Sequence, residues 1–333
     1  MKKAFATLIP LCIIGFVGFW ISTIILGTNP ENSGKFSSSS QYDDKNGSGW
    51  SAGCAVKNSE YTATIAASEN LELAISDVKA TVVPFDGEDI EVYVKNASNR
   101  SVNVSLKRNS SKSTIIKIDA SIRFGWFNLS FFDFNSDDRI VEIKVPKKTF
   151  ERAKIDLGSG SAAISGINAA EYDIDMGSGN MEFSRDKSEK IRSFRLDMGS
   201  GMSVFSGINA ESYKINMGSG SCTISDLAGT GDIDIGSGSL ELSFMDSPTG
   251  KFDMGSGHTT MIIPENSDTT FKFDIGSGGV NFNACGINES RRNHNDGDIV
   301  LGNGENTFDI DIGSGSVDVA SSEKAPSIAE QVQ

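Results

Sequence analysis

Two residues ahead of each Gly-Ser-Gly triplet in the second half of the chain stands a carboxylate or its amide: Asp156, Asp175, Asp197, Asn216, Asp234, Asp253, Asp274 and Asp311. If the triplets stack at one strand spacing, about 4.8 Å, each neighbouring carboxylate pair repels by about 1 kcal/mol even with water-like screening. Something must offset that. One answer is local: each Asp accepts backbone N–H groups of its own corner, as in an Asx-turn, helped by the bases two residues upstream, Lys154, Arg195, Lys214, Lys251 and Lys272. The other answer is a file of weak divalent-cation sites, because calcium takes several oxygen ligands including carboxylates.

Other reactive side chains are sparse. The two histidines, His258 and His294, have no serine and carboxylate in a triad setting in their local sequence. The four cysteines, Cys12, Cys54, Cys222 and Cys285, are far apart and show neither a disulfide framework nor a CxxC metal motif. A phosphate-binding loop needs GxxxxGK[ST], or GxGxxG leading from a strand into a helix, and neither pattern is present. Calcium-binding nonapeptide solenoids also use Gly and Asp, but at a period of nine. No catalytic, cofactor-binding or metal-ligating residue is assigned from the sequence, and a non-enzyme is expected. Arg291, Arg292 and His294 sit together in the insertion GINESRRNHNDGD (286–298), which reads as a solvated loop or as a contact for an acidic partner.

The elements that would position these residues follow from the repeat. Gly-Ser-Gly begins at Gly158, Gly177, Gly199, Gly218, Gly236, Gly255, Gly276 and Gly313, at intervals of 18 to 22 residues until a last interval of 37, nearly two periods. The residue before each triplet is apolar (Leu157, Met176, Met198, Met217, Ile235, Met254, Ile275, Ile312). So are the residue two places earlier (Ile155, Ile174, Leu196, Ile215, Ile233, Phe252, Phe273, Ile310) and the sixth after the first glycine (Ile164, Phe183, Phe205, Ile224, Leu242, Met261, Phe282, Val319). Alternation with polar residues is the pleat of a strand with one buried face. Each repeat is then strand, GSG corner, strand, polar corner, the second corner being SGIN at Ser165 and Ser206 and CGIN at Cys285. A meander would leave one apolar face open on a very large sheet, whereas a solenoid closes two faces on each other. The fold class expected is all-β, a β-solenoid of about 19-residue GSG repeats over 151–320. In the corners glycine serves by allowing positive φ and close backbone approach.

Upstream, residues 60–150 hold period-two stretches such as LELAI, DIEVYV and IVEIKV, read as irregular β coils. They include the aromatic IRFGWFNLSFFDF (122–134), which reads as a plug for the open end of the stack or as a ligand- or membrane-contacting patch. Residues 28–59 are rich in Ser, Gly and Asn and fit a flexible stalk, and 321–333 a disordered tail. From Ala4 to Gly27 no residue is charged, long enough for a membrane-spanning helix, taken as 5–27. Lys2 and Lys3 ahead of it put residues 1–4 in the cytoplasm and the remainder outside. A cleaved signal peptide is the rival reading, against which stands the absence of a small-residue cleavage site. The 333 residues carry 30 Lys+Arg and 44 Asp+Glu, a net charge of -14, which argues against a nucleic-acid partner.

The run IVEIKVPKKTFERAKIDLGSGSAAISGINAAEYDIDMGSGNMEF, an apolar strand ending in Val-Pro followed by GSG corners, resembles the DUF4097 family of candidate bacterial adhesins, and is similar to the head domains of candidate autotransporter adhesins. The likeness runs over roughly residues 61 to 320. It implies a β-solenoid ectodomain on a bacterial envelope protein, single-pass in the cell membrane, with a protein or glycan as surface ligand. The rivals are an envelope-stress sensing or regulatory ectodomain acting with a membrane partner, and, least favoured, a carbohydrate-active enzyme. The resemblance brings no catalytic residue and no cofactor.

Overall fold

Strand pairing in the computed structural model is parallel from one GSG repeat to the next, so the chain winds as a solenoid and not as a meander. The structure describes residues 42–43, 49–98, 100–109, 112–120, 123–124, 127–128 and 138–322. The apolar run 5–27 with Cys12, most of the stalk, most of the aromatic segment 122–134 and the tail from 323 lie outside them. Among the described residues no helix is long and apolar enough to cross a membrane.

Two sheets face each other. Strands before each GSG corner, such as Asn168–Met176, Ile191–Met198 and Asn209–Met217, form the first, and strands after it, such as Asn180–Ser184 and Met202–Ser206, form the second. Pairing is in register, so Met176 lies beside Met198 and Met198 beside Met217, all buried. Every position of the three apolar files is buried. Full burial of one such Leu, Ile or Phe side chain is worth roughly 1.5–3 kcal/mol, so the stack is held chiefly by these files. Aromatic rings join the two sheets within a coil, as in Tyr172–Phe183 (5.4 Å between centroids) and Phe194–Phe205 (5.6 Å), and link one coil to the next, as in Phe183–Phe205 (5.8 Å).

The corners show which property of glycine matters. Of the sixteen GSG glycines only Gly160 has φ in the left-handed region. The rest are required by proximity. A Cβ on Gly199 would stand 3.0 Å from the Gly177 carbonyl oxygen, and one on Gly201 or Gly257 would stand 2.1 Å from the oxygen of Gly179 or Gly238. The third glycine also leaves room for the methionine of the coil beneath: a Cβ on Gly220 would meet Met198 Cε at 2.5 Å. Backbone ladders run through the corner without a break, for example Gly177 N–H to Leu157 O at 2.9 Å and Ser178 N–H to Gly158 O at 3.0 Å.

The coils do not follow one another in space as they do in sequence. At the C-terminal end Asn306–Ile312 and Ser316–Ser321 lie between the Gly255 coil and the Gly276 coil, pairing in parallel with both. The N-terminal end mirrors this. A coil without GSG, Asn70–Ser76 and Val78–Phe85, is wedged between Thr149–Leu157/Gly160–Ser165 and an outer coil, Ser113–Asp119/Arg139–Pro146. It turns its corner on Asp77, at φ 57°, whose carboxylate accepts the Ser159 hydroxyl at 2.6 Å. The parallel stack therefore begins well before residue 151.

Antiparallel strands close both ends. At the N-terminal end Val102–Asn109 and Gly49–Val56 extend the first sheet, and Asp89–Asn96 and Ser59–Ala66 the second. At the other end Ile287–Arg292 and Gly297–Val300 do the same. The insertion 286–298 is thus not a solvated loop but largely the terminal strands themselves. CGIN is likewise not a solenoid corner of the SGIN kind: Ala284 pairs with Ile287 across Cys285 (φ 51°) and Gly286 (φ 81°), a two-residue type I′ hairpin whose turn requires both positive φ values. Of the aromatic segment, Arg123–Phe124 and Phe127–Asn128 pair antiparallel with each other.

Candidate functional site

The outer face of the first sheet carries the acidic file in one straight row. Register orders it Asp156, Asp175, Asp197, Asn216, Asp234, Asp253, Asp311, Asp274, with Asp311 ahead of Asp274 because of the inserted coil. The row two residues upstream reads Lys154, Asp173, Arg195, Lys214, Asp232, Lys251, Asp309, Lys272, continued by Glu72 at one end and Asp298 at the other. Apart from the Arg195–Lys214 step it alternates in sign, which is how two adjacent rows rich in carboxylates coexist.

Offsetting contacts come from side chains of these rows rather than from the corner backbone, where the first glycine of each triplet gives its N–H to the neighbouring coil. Lys154 Nζ lies 3.4 Å from Asp156 and 3.8 Å from Asp175. Arg195 donates through Nε (2.8 Å) and Nη2 (2.6 Å) to one oxygen of Asp197, and the Asn216 amide donates to the other. The Asx-turn expectation is therefore replaced by side-chain pairing within a strand and between coils, while the expected help from upstream bases holds for Lys154 and Arg195.

The local balance differs along the row. Burial, then the charge of Asp156, raises Asp175 above the ordinary carboxylate value, and burial with Asp311 and Asp234 does the same to Asp253. At Asp197 burial also pushes upward, but the hydrogen bonds from Asn216 and Arg195 outweigh it and leave the group below its ordinary value. Lys154 is raised, first by Asp156. Beside the rows, Arg192 bridges Glu151 and Glu171, and Arg152 reaches Glu171 at 2.9 Å. These pairs are solvent-exposed and screened, so they contribute little to stability. Among the described residues no group of three His, Cys, Asp or Glu gathers closely enough to hold a metal ion.

On the second sheet the structure assembles what local sequence did not show. His258 Nδ1 lies 2.8 Å from Ser316 Oγ, and its Nε2 lies 3.8 Å from an Asp318 oxygen. The Asn281 amide donates to Asp318 at 2.7 Å, and the Ser290 hydroxyl donates to Asn281 at 2.9 Å. Neither the serine nor the carboxylate beside His258 is near it in sequence. The partners are invisible in sequence because they are some sixty residues away, on the coil inserted out of order. Chemically the group lies on an open strand face with the imidazole half exposed, and the Ser316 N–H is already given to Gly257 O at 3.0 Å. That N–H cannot serve as an oxyanion donor, so the arrangement reads as a polar cross-coil network and not as an activated nucleophile.

Arg291 is also placed differently from the expectation. It is buried, with its guanidinium 5.5 Å from the centre of the Phe273 ring, Nε donating to Glu289 at 2.7 Å and Nη2 to Asp298 O at 3.2 Å. It covers the end of the core, and only Arg292 and His294 of that trio face solvent. Cys54, Cys222 and Cys285 are unpaired, and burial pushes the Cys222 thiol up to about 12.

Comparison with known proteins bears on the same stretch. The family described as Toastrack DUF4097 matches residues 68–320. Among solved structures, a candidate cell adhesion protein from Clostridium sporogenes is similar at 14% identity, covering 79% of this chain and 99% of its own, with a TM-score of 0.28. A candidate adhesin from Bacteroides fragilis is similar at 10% identity, covering 80% of this chain and 100% of its own, with a TM-score of 0.42. No curated protein matches.

Proposed function

Because the chain belongs to the Toastrack DUF4097 family, we propose that it acts as a membrane-tethered surface protein of the bacterial envelope, whose stacked coils form a binding and scaffolding face, an adhesin in the broad sense. The observation that carries this reading is the double row on the first sheet, where two register positions per coil carry a charged side chain, or the Asn216 amide, along one face from Lys154 and Asp156 to Lys272 and Asp274. Such a face meets an extended partner at many regularly spaced points. Each contact is weak, and their sum is large only when they engage together. The uncharged run 5–27 supplies the tether, with the stack outside the cell membrane. The reaction chemistry on offer is thin, since the His258 network has no free backbone donor at Ser316, so the reading is of a binder and not of an enzyme.

The test is a glycan and matrix-protein array probed with residues 38–333. Binding to one surface class, weakened by salt and by replacing Asp234 and Asp253 with alanine, is the expected result. Silence on both arrays together with co-purification of a membrane partner would replace this reading with a regulatory ectodomain, and glycan cleavage would replace it with an enzyme.

A further inference from the structure

The coil made by Asn306–Ile312 and Ser316–Ser321 fills a slot. One rim of the slot is Thr249–Met254 and His258–Ile263, the other Thr269–Ile275 and Gly279–Ala284, and these two coils follow each other directly in the chain. They do not pair with each other. Withdrawing the coil would leave two facing rows of unpaired strand N–H and C=O groups and would uncover Phe271 and Phe244, whose rings pack on Phe308 at 6.0 and 5.9 Å.

Among the described residues the coil has one covalent tie to the stack, the crossover 301–305, which passes over the start of Thr269–Ile275. The Leu301–Thr269 backbone pair anchors its start and the Thr270 hydroxyl donates to Gly304 O at 3.4 Å, but its tip is held chiefly by one carboxylate. Asp268 Oδ1 accepts the N–H of Asn303 at 2.8 Å and of Glu305 at 3.1 Å, while the Asn306 amide donates to the Asp268 carbonyl at 2.7 Å. Gly302 (φ +63°) and Gly304 (φ +70°) curl the loop around this carboxylate, and a Cβ on Gly302 would stand 2.9 Å from Asp268 Oδ1.

We propose that Asn306–Ser321 is an exchangeable coil, that its slot accepts the same segment from a second copy of the chain, and that the Asp268 latch controls how often this happens. The slot selects its occupant narrowly. Both rims offer backbone pairing, the alternate positions Phe308, Ile310, Ile312, Val317 and Val319 enter the core, and the corner tolerates only glycine. A Cβ on Gly313 would lie 2.7 Å from Gly255 O, and a Cβ on Gly276 would lie 2.7 Å from Gly313 O. A second copy carries the matching segment by identity. Exchange preserves every strand pair and ring contact of the slot and alters only the crossover, the condition under which a domain swap costs little.

The experiment uses the full-length chain, purified in detergent with either of two affinity tags, mixed at high protein concentration and followed by tandem capture and light scattering. Wild type is expected to form mixed-tag dimers slowly, and these should persist on dilution. Asp268→Ala should form them about tenfold faster or more, because a carboxylate acceptor shared by two N–H groups is lost, and Asp268→Asn, which keeps an acceptor oxygen, should stay near wild type. Should Asp268→Ala fail to fold, hydrogen exchange on wild type decides. Amides of Phe308–Ile312 and Val317–Val319 should exchange as one unit while the Gly177 to Gly236 coils stay protected. Exchange of those amides only on global unfolding, mixed dimers that fall apart on dilution, or no mixed dimers in the wild type would each overturn the proposal.

Discussion

Gly313 donates its N–H to the carbonyl of Met254 at 2.8 Å, although the next GSG corner after Met254 along the solenoid sequence, beyond its own, is that of Gly276. The closeness of such corner contacts makes glycine at the third triplet position a packing requirement. Gly201→Ala would drive a methyl to 2.1 Å from Gly179 O, whereas Gly199→Ala leaves 3.0 Å. Urea denaturation should show Gly201→Ala costing about 3 kcal/mol or more and Gly199→Ala about 1 kcal/mol. Equal losses would refute the stacking account.

The same substitution at Gly286 isolates the opposite cause. Nothing lies within 4 Å of its missing Cβ, but φ is +81°. Gly286→Ala should therefore cost only the left-handed backbone penalty, about 1–2 kcal/mol, read from the same denaturation curves. A loss as large as that of Gly201→Ala would mean the hairpin is not free on that side.

Two carboxylates in one row should respond to pH with opposite sign. Asp253 is raised by burial and its acidic neighbours, so its stabilising contribution is present below the ordinary value of 3.8 and is lost as pH rises through the higher folded value. Asp253→Asn should thus stabilise the protein at neutral pH by about 0.5 kcal/mol, a gain that disappears on acidification. Asp197 is lowered, so its contribution is present above 3.8 and is lost as pH falls through the lower folded value. Asp197→Asn should destabilise by about 0.5 kcal/mol at neutral pH. Denaturant midpoints at neutral and acidic pH test both, and shifts of the same sign would contradict the row chemistry.

Tyr172 locks a polar corner from inside. Its buried hydroxyl donates to Ile167 O and accepts the Ala169 N–H at 2.9 Å. Tyr172→Phe leaves both backbone groups without that partner and should cost about 1–3 kcal/mol. A neutral result in thermal denaturation would show that the corner finds other partners.

The columns were legible because equivalent residues recur at almost constant spacing, and in-register parallel stacking turns spacing directly into position. Met176, Met198 and Met217 lie where that logic puts them. Coil order was not legible. The 37-residue interval before Gly313 suggests two layers in succession, but strand pairing depends on which rims remain open, and the last coil enters behind one already laid down. The same displacement hid the Ser316 and Asp318 partners of His258. CGIN misled because its letters match SGIN while its neighbours differ: Ile287–Arg292 can pair antiparallel with the strand just left, and Cys285 takes the positive φ that a hairpin needs. The Asp row was half legible, since the upstream bases were visible but the interleaved Asp173, Asp232 and Asp309 gain meaning only once the coils are aligned.

Between the two closing assemblies, strand pairing joins each middle coil only to the coil above and the coil below, and long side chains such as Arg192 reach one coil further. Duplicating or deleting one nineteen-residue unit near Gly199 would leave both termini of the stack as they are and change its height by about 4.8 Å. Reach is therefore a property that this architecture can adjust in fixed steps, as a ladder gains or loses rungs, with no redesign of either end.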